Sequence, residues 1–145
     1  MAMTKQAAEA IAKLLNSQNR LMVPYTAAKI LAHADRYIVR YNDNGHVVGA
    51  AEVESVQWYQ GEIKHVSVDP EAKRQGIGTW LVEHAEARAR ELGARVAQCT
   101  IRVGNAESEG LFKKNGYTAT ITFTNERSGN EVTVYQKVLA PSITA

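Results

Sequence analysis

Residues 61–92 read GEIKHVSVDPEAKRQGIGTWLVEHAEARAREL, and this stretch decides the fold. Its first eight residues suit a buried strand, which Pro70 ends because proline has no backbone N–H for a ladder. A turn containing Gly76 and Gly78 follows. Apolar residues then recur at spacings of three and four, which predicts a long amphipathic helix. The apolar face consists of Ile77, Leu81, Ala85, Ala89 and Leu92.

The turn before this helix has the chemistry of an anion site. Glycines at positions 76 and 78 let backbone amides approach a ligand with no side chain in the way. A helix that starts there carries unpaired N–H groups and a partial positive charge. Lys73 and Arg74 add two full charges. Together these features predict a site for a phosphate or pyrophosphate.

Two common phosphate loops fit this turn poorly. A Walker-type loop needs Gly-Lys-Ser/Thr after four spacer residues, but no Lys follows Gly78. A dinucleotide fingerprint needs a third glycine where Leu81 stands.

A third pattern fits better. Val68-x-Pro70 followed by Lys73-x-x-Gly76-x-Gly78 resembles the acetyl-CoA loop of the GNAT acetyltransferase superfamily, Gln/Arg-x-x-Gly-x-Gly/Ala, with Lys73 in the place of Gln or Arg. Residues 105–117, NAESEGLFKKNGY, are similar to the family's helix Asn-x-x-(small)-x-x-Leu-Tyr-x-Lys-x-Gly-Phe. The resemblance covers roughly residues 35–139. It implies an α+β fold with a GNAT-like mixed, mostly antiparallel sheet of about six strands, helices on both faces, and a central splayed parallel strand pair.

Periodicity and turn signals place the remaining elements. Asp43-Asn44-Gly45 predicts a hairpin turn, Ile30 and Leu31 are expected to face inward from a helix, and Val103 is expected to face inward from a strand. The predicted helices are 4–16, 26–34 and 105–115, and the predicted strands are 36–41, 46–56, 95–103, 117–125 and 131–139.

Length and composition favour one domain over residues 1–145, and the resemblance makes it a GNAT domain. We expect a helical part at 1–34 and a loose tail at 140–145. The net charge of +2 gives no reason to expect nucleic acid as a partner. Cys99 is the single cysteine, so an internal disulfide is excluded and a reducing compartment is expected. Residues 1–10 lack the apolar segment of a signal peptide, and no apolar run approaches membrane-spanning length. We therefore expect a cytoplasmic protein with no membrane partner.

The resemblance implies acetyl-CoA as the acyl donor and no metal. Val66, Ser67 and Val68 would offer main-chain groups to the pantetheine arm, and Asn105 would bond the arm, although it is equally suited to be a plain helix cap. Phe112 would pack on the arm. The pyrophosphate would be held by Lys73, Arg74, Gln75, Gly76, Ile77, Gly78 and Thr79.

Glu62 is the predicted general base. It lies on the strand before the turn, much as the catalytic Glu does in the histone-acetylating branch of the family. The competing interpretation is an exposed carboxylate paired with Lys64. Glu52 and Glu54 on the preceding strand are alternatives, either as bases or as ligands of a cationic acceptor. His65, by strand alternation, is expected on the opposite face from Glu62.

The resemblance does not identify a general acid in this sequence. The family's Tyr, which often protonates the leaving thiolate, is replaced by Phe112. Tyr117 is an alternative donor, although a core aromatic is the simpler interpretation. A thiol has an ordinary pKa of about 8.5, so the thiolate can also leave unaided.

The resemblance implies an acetyl-CoA-dependent N-acetyltransferase in which a primary amine attacks the thioester directly in a ternary complex. A catalytically weak acyl-CoA sensor and a nucleotide-binding interaction protein stay open as alternatives. The acceptor would be the amine of a small molecule or a protein, and a homodimer is an open expectation.

Overall fold

The structure is a computed structural model that describes residues 2–139. The prediction for the tail at 140–145 therefore lies outside the described residues. Short 3₁₀ turns occur at Ala34–Arg36 and Pro70–Ala72. The helices are α1 (Lys5–Gln18), α2 (Ala27–Ala32), α3 (Ile77–Glu91) and α4 (Ala106–Lys114). The strands are β1 (Tyr37–Tyr41), β2 (Val47–Gln57), β3 (Gln60–Val68), β4 (Val96–Arg102), β5 (Thr118–Thr124) and β6 (Glu131–Val138).

The six strands form one sheet in the order β1-β2-β3-β4-β6-β5, and helices pack on it. β1 with β2, β4 with β6, and β5 with β6 are antiparallel, whereas β3 and β4 are parallel. The predicted α+β class and the predicted mixed sheet are confirmed.

The parallel pair diverges soon after it starts. Pairing runs from Gln60 opposite Val96 to Glu62 opposite Gln98. Within residues 2–139 the ladder between these strands includes no further pair, although β3 continues to Val68 and β4 to Arg102. The expected splayed pair is therefore present, and the later part of β3 keeps main-chain groups that β4 does not use.

The chain divides into two compact units, of which the first takes the chain up to Val53 together with His65–Ala85. Its core is built by the apolar face of α1 against Ile30, Tyr37 and Ala50. α1 starts as predicted, because the Thr4 hydroxyl accepts a hydrogen bond from the Ala7 amide at 3.0 Å. The α1 side chains in this core are Ala8, Ile11, Ala12, Leu14 and Leu15.

The second unit takes Glu54–Lys64 together with the chain from Glu86 onward. Gly61 is needed here, because a Cβ at this position would lie 3.0 Å from the Cβ of Ala89. Gly93, with φ +91°, ends α3 in the left-handed conformation that glycine adopts without strain. The buried residues of this unit include Ile63, Ala97, Cys99, Ile101, Phe112, Tyr117, Tyr135 and Leu139.

Two side chains predicted to face inward do not. Leu31 is exposed, because α2 is only six residues long and buries Ile30 alone. Val103 is exposed because β4 ends one residue earlier, at Arg102. The segment at 21–23, which lies between α1 and α2, is irregular.

Candidate functional site

The bend between β3 and α3 is the predicted anion site. Asp69 accepts a hydrogen bond from the Glu71 amide at 2.9 Å and starts the 3₁₀ turn. Arg74 has φ +67° and Gly76 has φ +74°, and residues 73–76 are exposed. A Cβ placed on Gly76 would meet nothing within 4 Å, so the space beside the bend is open. Left-handed residues of this kind arrange main-chain N–H groups into anion-binding concavities.

α3 begins directly after this bend. The first helical hydrogen bond runs from the Trp80 amide to the Gly76 carbonyl at 3.0 Å. The amides of Ile77, Gly78 and Thr79 precede it, and the first N–H groups of a helix have no partner within the helix. Its first turn contains no acidic residue, and Lys73 and Arg74 stand just before it. The positive end of the helix and two cations therefore meet at one bend.

Ile77 fixes the bend against the sheet. Its side chain is buried, and a Cβ on Gly49 of β2 would lie 2.7 Å from its Cγ2 methyl. The same Cβ would lie 3.1 Å from Leu81. Of the residues assigned to the pyrophosphate, Ile77 can therefore contribute its amide but not its side chain.

The end of β3 holds the residues assigned to the pantetheine arm. Val66 and Val68 are half-buried, and Ser67 is buried. The Ser67 hydroxyl donates to the His65 carbonyl and accepts from the Asn19 side chain, both at 2.8 Å. Since this hydroxyl is already engaged, a contact from Ser67 to a ligand would have to come from its main chain, and that role stays a prediction.

Glu62 lies in the second unit with its side chain 24% exposed. Gln98 donates from Nε2 to its carboxylate at 3.3 Å, and Lys64 Nζ is 4.0 Å away. Lys64 lies closer to Glu54, at 2.5 Å. The pairing of Glu62 with Lys64, which was the competing interpretation of Glu62, is therefore longer than the contact of this lysine with Glu54.

Gln98 is itself fixed by two other glutamines. Its Oε1 accepts from Gln60 and, at 3.0 Å, from Gln136. Because the Gln98 oxygen accepts from both of these glutamines, its Nε2 amide points to Glu62. A carboxylate is a suitable acceptor for that amide.

A second polar group lies in the first unit and was not predicted as a group. The Tyr25 hydroxyl donates to Glu52 at 2.6 Å and lies 2.7 Å from Nδ1 of His65. Glu52 is buried, and its partner Tyr25 lies 27 residues away in sequence. His65 has φ +53°, which is uncommon for a residue other than glycine. Because of this conformation, the alternation of side chains between the two faces of a strand cannot be used to assign the face of His65.

Asn105 and Phe112, which were predicted to contact the pantetheine arm, also make structural contacts. Asn105 caps the helix by accepting from the Ser108 amide at 3.3 Å. Phe112 is buried and packs edge-on against Tyr117, with ring centroids 5.0 Å apart. The structure thus identifies structural contacts for both residues and leaves their predicted ligand roles as predictions.

Tyr117 is a core residue that holds its proton tightly. Its hydroxyl donates to Glu86 at 2.8 Å. Burial, reinforced by the Glu86 carboxylate, raises the pKa of Tyr117 far above its usual range. This makes it a poorer proton donor than an ordinary tyrosine. Cys99 is likewise a buried core residue, and burial, with a smaller contribution from Glu62, raises the pKa of its thiol.

No helix in the described chain is both long and apolar enough to cross a membrane. Within the same residues, no three His, Cys, Asp or Glu side chains are grouped so that they could hold a metal ion.

Several solved structures have the same fold. Ard1 from Thermoplasma volcanium has a TM-score of 0.80 and 21% identity, over 97% of this chain and 96% of that one. The yncA protein of Salmonella typhimurium, solved with its cofactor acetyl-CoA, has a TM-score of 0.78 and 22% identity, over 100% and 95%. The ribosomal-protein-alanine N-acetyltransferase of Brucella melitensis has a TM-score of 0.77 and 22% identity, over 96% and 98%.

No curated protein sequence matches the chain. The family model of the acetyltransferase (GNAT) family, however, matches residues 6–117, which include the bend, β3 and all of α4. The chain therefore belongs to the GNAT acetyltransferase family.

Proposed function

We propose that the protein transfers the acetyl group of acetyl-CoA to a primary amine, by direct attack of the amine on the thioester in a ternary complex. The observation that carries this proposal is the bend at residues 73–76. It combines two left-handed residues, open space and the start of α3.

The charge of the bend is complementary to that of a pyrophosphate. The amides of residues 74–79 would donate to its oxygens, and Lys73 and Arg74 would balance its negative charge. Val66, Ser67 and Val68 would bind the pantetheine arm through their main chain, because β4 does not pair with this part of β3. By family resemblance, Asn105 and Phe112 are proposed as further contacts of the arm.

Glu62 is proposed as the general base. An alkyl amine has an ordinary pKa near 10, so about one molecule in a thousand is neutral at pH 7 and the proton must be removed before attack. The hydrogen bond that Gln98 donates to the carboxylate of Glu62 supports this proposal, because it limits the positions of that side chain. Phe112 cannot donate a proton, so the departing thiolate would be protonated by water.

The acceptor is proposed as the amine of a small molecule or a protein. The name of the Brucella melitensis neighbour gives the alanine of a ribosomal protein as its acceptor. A peptide α-amine therefore belongs in any acceptor panel beside polyamines, lysine and aminoglycosides. The buried single cysteine is consistent with a cytoplasmic location, which we also propose.

Two matched glycine variants test the coenzyme site. Gly76 and Gly129 have φ +74° and +76°, and a Cβ at either position meets nothing within 4 Å. Ala at either site therefore strains the backbone by a similar amount, about 1 kcal/mol. We expect Gly76→Ala to weaken acetyl-CoA binding about tenfold by calorimetry and Gly129→Ala to leave it unchanged. Equal affinities in both variants would contradict the assignment of the bend.

Release of free CoA separates the enzyme from its alternatives. An acetyltransferase releases thiol only when the panel contains a suitable amine. A sensor module would bind acetyl-CoA with the same dependence on Gly76 but release none. A nucleotide-binding interaction protein would prefer ATP to CoA in the same calorimetric experiment.

A further inference from the structure

The Tyr25–Glu52–His65 trio has the geometry of a proton relay. An ionised carboxylate only accepts hydrogen bonds, and a tyrosine hydroxyl has a single proton. At 2.6 Å that proton is donated to Glu52. The oxygen of Tyr25 must then accept from His65, whose Nδ1 is 2.7 Å away.

These two contacts determine the tautomer of His65. If Nδ1 carries the hydrogen, the neutral ring has its lone pair on Nε2. Glu52 and Tyr25 hold the ring in this state in the way that a carboxylate orients a catalytic histidine, with one hydroxyl interposed. Tyr25 also packs edge-on against His65 and against Tyr37, with ring centroids 5.6 and 6.1 Å apart.

His65 lies in β3, next to the residues that we propose bind the pantetheine arm. His65 immediately precedes Val66, Ser67 and Val68, and its own carbonyl accepts from the Ser67 hydroxyl. Its backbone is left-handed at φ +53° inside a strand, a conformation that costs about 1 kcal/mol or more. Such strain persists where surrounding contacts over-determine it, and here three polar side chains converge.

Acetylation of an amine releases two protons in separate steps. An ammonium nitrogen has three N–H bonds and the amide product has one, so two protons leave the nitrogen. The first leaves before attack, because an ammonium nitrogen has no lone pair. The second leaves after the nitrogen has bonded to the thioester carbon and has become positively charged.

We propose that His65 is a catalytic residue that accepts this second proton at Nε2, and that Tyr25 and Glu52 are its positioning residues. The N–C bond forms, the proton passes from that nitrogen to Nε2, and the C–S bond breaks with its electron pair on sulfur. The thiolate takes a proton from water, and His65 later returns its own to solvent. This inference rests on the proposed function.

The first test is spectroscopic and needs no activity. In ¹⁵N-labelled protein, His65 should be found in the Nδ1–H form. His46, which is exposed, should show the mixture usual for histidine in water. In Tyr25→Phe, His65 should lose its Nδ1–H preference, because the acceptor oxygen is gone while the ring packing is kept. An Nε2–H form of His65 in the unchanged protein would overturn the proposal.

The second test is kinetic. His65→Asn suits the left-handed backbone, since Asn tolerates positive φ. We expect it to lower kcat about 100-fold, the size of a general-base contribution, with acetyl-CoA affinity within twofold. Added imidazole should restore part of the rate in His65→Gly. A normal kcat in His65→Asn, or no rescue in His65→Gly, would overturn the catalytic role.

The matched control is the neighbouring tyrosine. Tyr25→Phe should lower kcat about tenfold, whereas Tyr37→Phe, which loses a hydroxyl from the ring packed on Tyr25, should change it less than twofold. Equal effects would overturn the relay. Failure of the proposed function would look different: the unchanged protein would then release no CoA with any amine, whatever the tautomer of His65.

Discussion

Lys137 places its ammonium 3.1 Å from both carboxylate oxygens of Glu86, a side chain that is only 5% exposed. The Tyr117 hydroxyl donates to the same carboxylate. Within the second unit, Glu86 is therefore contacted by the ammonium of Lys137 and the hydroxyl of Tyr117, which join α3 to β6 and to the residue before β5.

Removing the cation should destabilise the fold. Lys137→Met keeps the apolar stem but removes the ammonium that contacts both oxygens of the buried Glu86. A fully buried pair loses about 3–5 kcal/mol on such a change. Lys137 is 29% exposed, so water compensates in part and we expect roughly 2–3 kcal/mol by urea denaturation.

The control pair lies on the same helix. Arg88 and Glu91 are 3.7 Å apart, and Glu91 is 72% exposed. Glu91→Gln should change the unfolding free energy by less than about 0.5 kcal/mol. If Lys137→Met were equally mild, the Glu86 carboxylate would have to be solvated by other means.

The pH dependence of stability should report Tyr117. Its folded-state pKa lies above the ordinary value of about 10, so the folded protein keeps a proton that the unfolded chain has lost. The unfolding free energy should therefore be unaffected by this group below pH 10. Above pH 10 it should fall by up to about 1.4 kcal/mol per pH unit.

Urea titrations between pH 8 and 11.5 measure this slope. Tyr117→Phe should be less stable at pH 8, because Glu86 loses a donor, but its stability should fall less steeply above pH 10. Tyr41→Phe is the control, since Tyr41 is exposed. The Cys99 thiol contributes in the same direction from lower pH and is common to all three proteins. An unchanged slope in Tyr117→Phe would contradict the raised pKa.

Gly49→Ala should affect both stability and coenzyme binding. The new Cβ would lie 2.7 Å from Cγ2 of Ile77, a methyl next to the backbone of a β-branched residue that cannot rotate away. We expect a loss of roughly 1–3 kcal/mol, typical of overpacking, and weaker acetyl-CoA affinity because α3 starts at Ile77.

Gly110→Ala provides the opposite case. Gly110 lies inside α4 with nothing within 4 Å of an added Cβ. Alanine should therefore stabilise the protein by about 0.5–1 kcal/mol and leave coenzyme affinity unchanged. Thermal denaturation and calorimetry of the two variants distinguish a steric effect from a general effect of losing glycine.

Glu62→Gln tests the proposed base. It preserves the shape of the side chain and a contact to Gln98, but cannot accept a proton. We expect kcat to fall about 100-fold at pH 7 with acetyl-CoA affinity retained. Glu54→Gln is the comparison, because Glu54 holds the same lysine more closely than Glu62 does. A larger loss in Glu54→Gln would transfer the role of base to Glu54.

The fold was predictable because its signals are local. Proline and paired glycines mark the bend, Gly93 marks the end of α3, and apolar spacing marks each buried face. The errors at Leu31 and Val103 arise at element ends, where one residue more or less reverses the exposure of a side chain.

The chemistry of the candidate site was less predictable because it depends on distant pairs. Tyr25 meets Glu52 and His65 across 27 and 40 residues of sequence, and Lys137 meets Glu86 across 51. No periodicity encodes such contacts. The sequence also gives no signal for the left-handed backbone of His65 and Arg74, because neither residue is a glycine.

If the proposed function holds, the reactive thioester of acetyl-CoA can also acylate the protein's own lysines. The Lys137 nitrogen is engaged by both oxygens of Glu86, a buried carboxylate. Lys13 and Lys113 are exposed on helix surfaces. During prolonged storage with acetyl-CoA, exposed lysines should therefore be acetylated first. The ion pair between Lys137 and Glu86, which joins α3 to β6, should be retained.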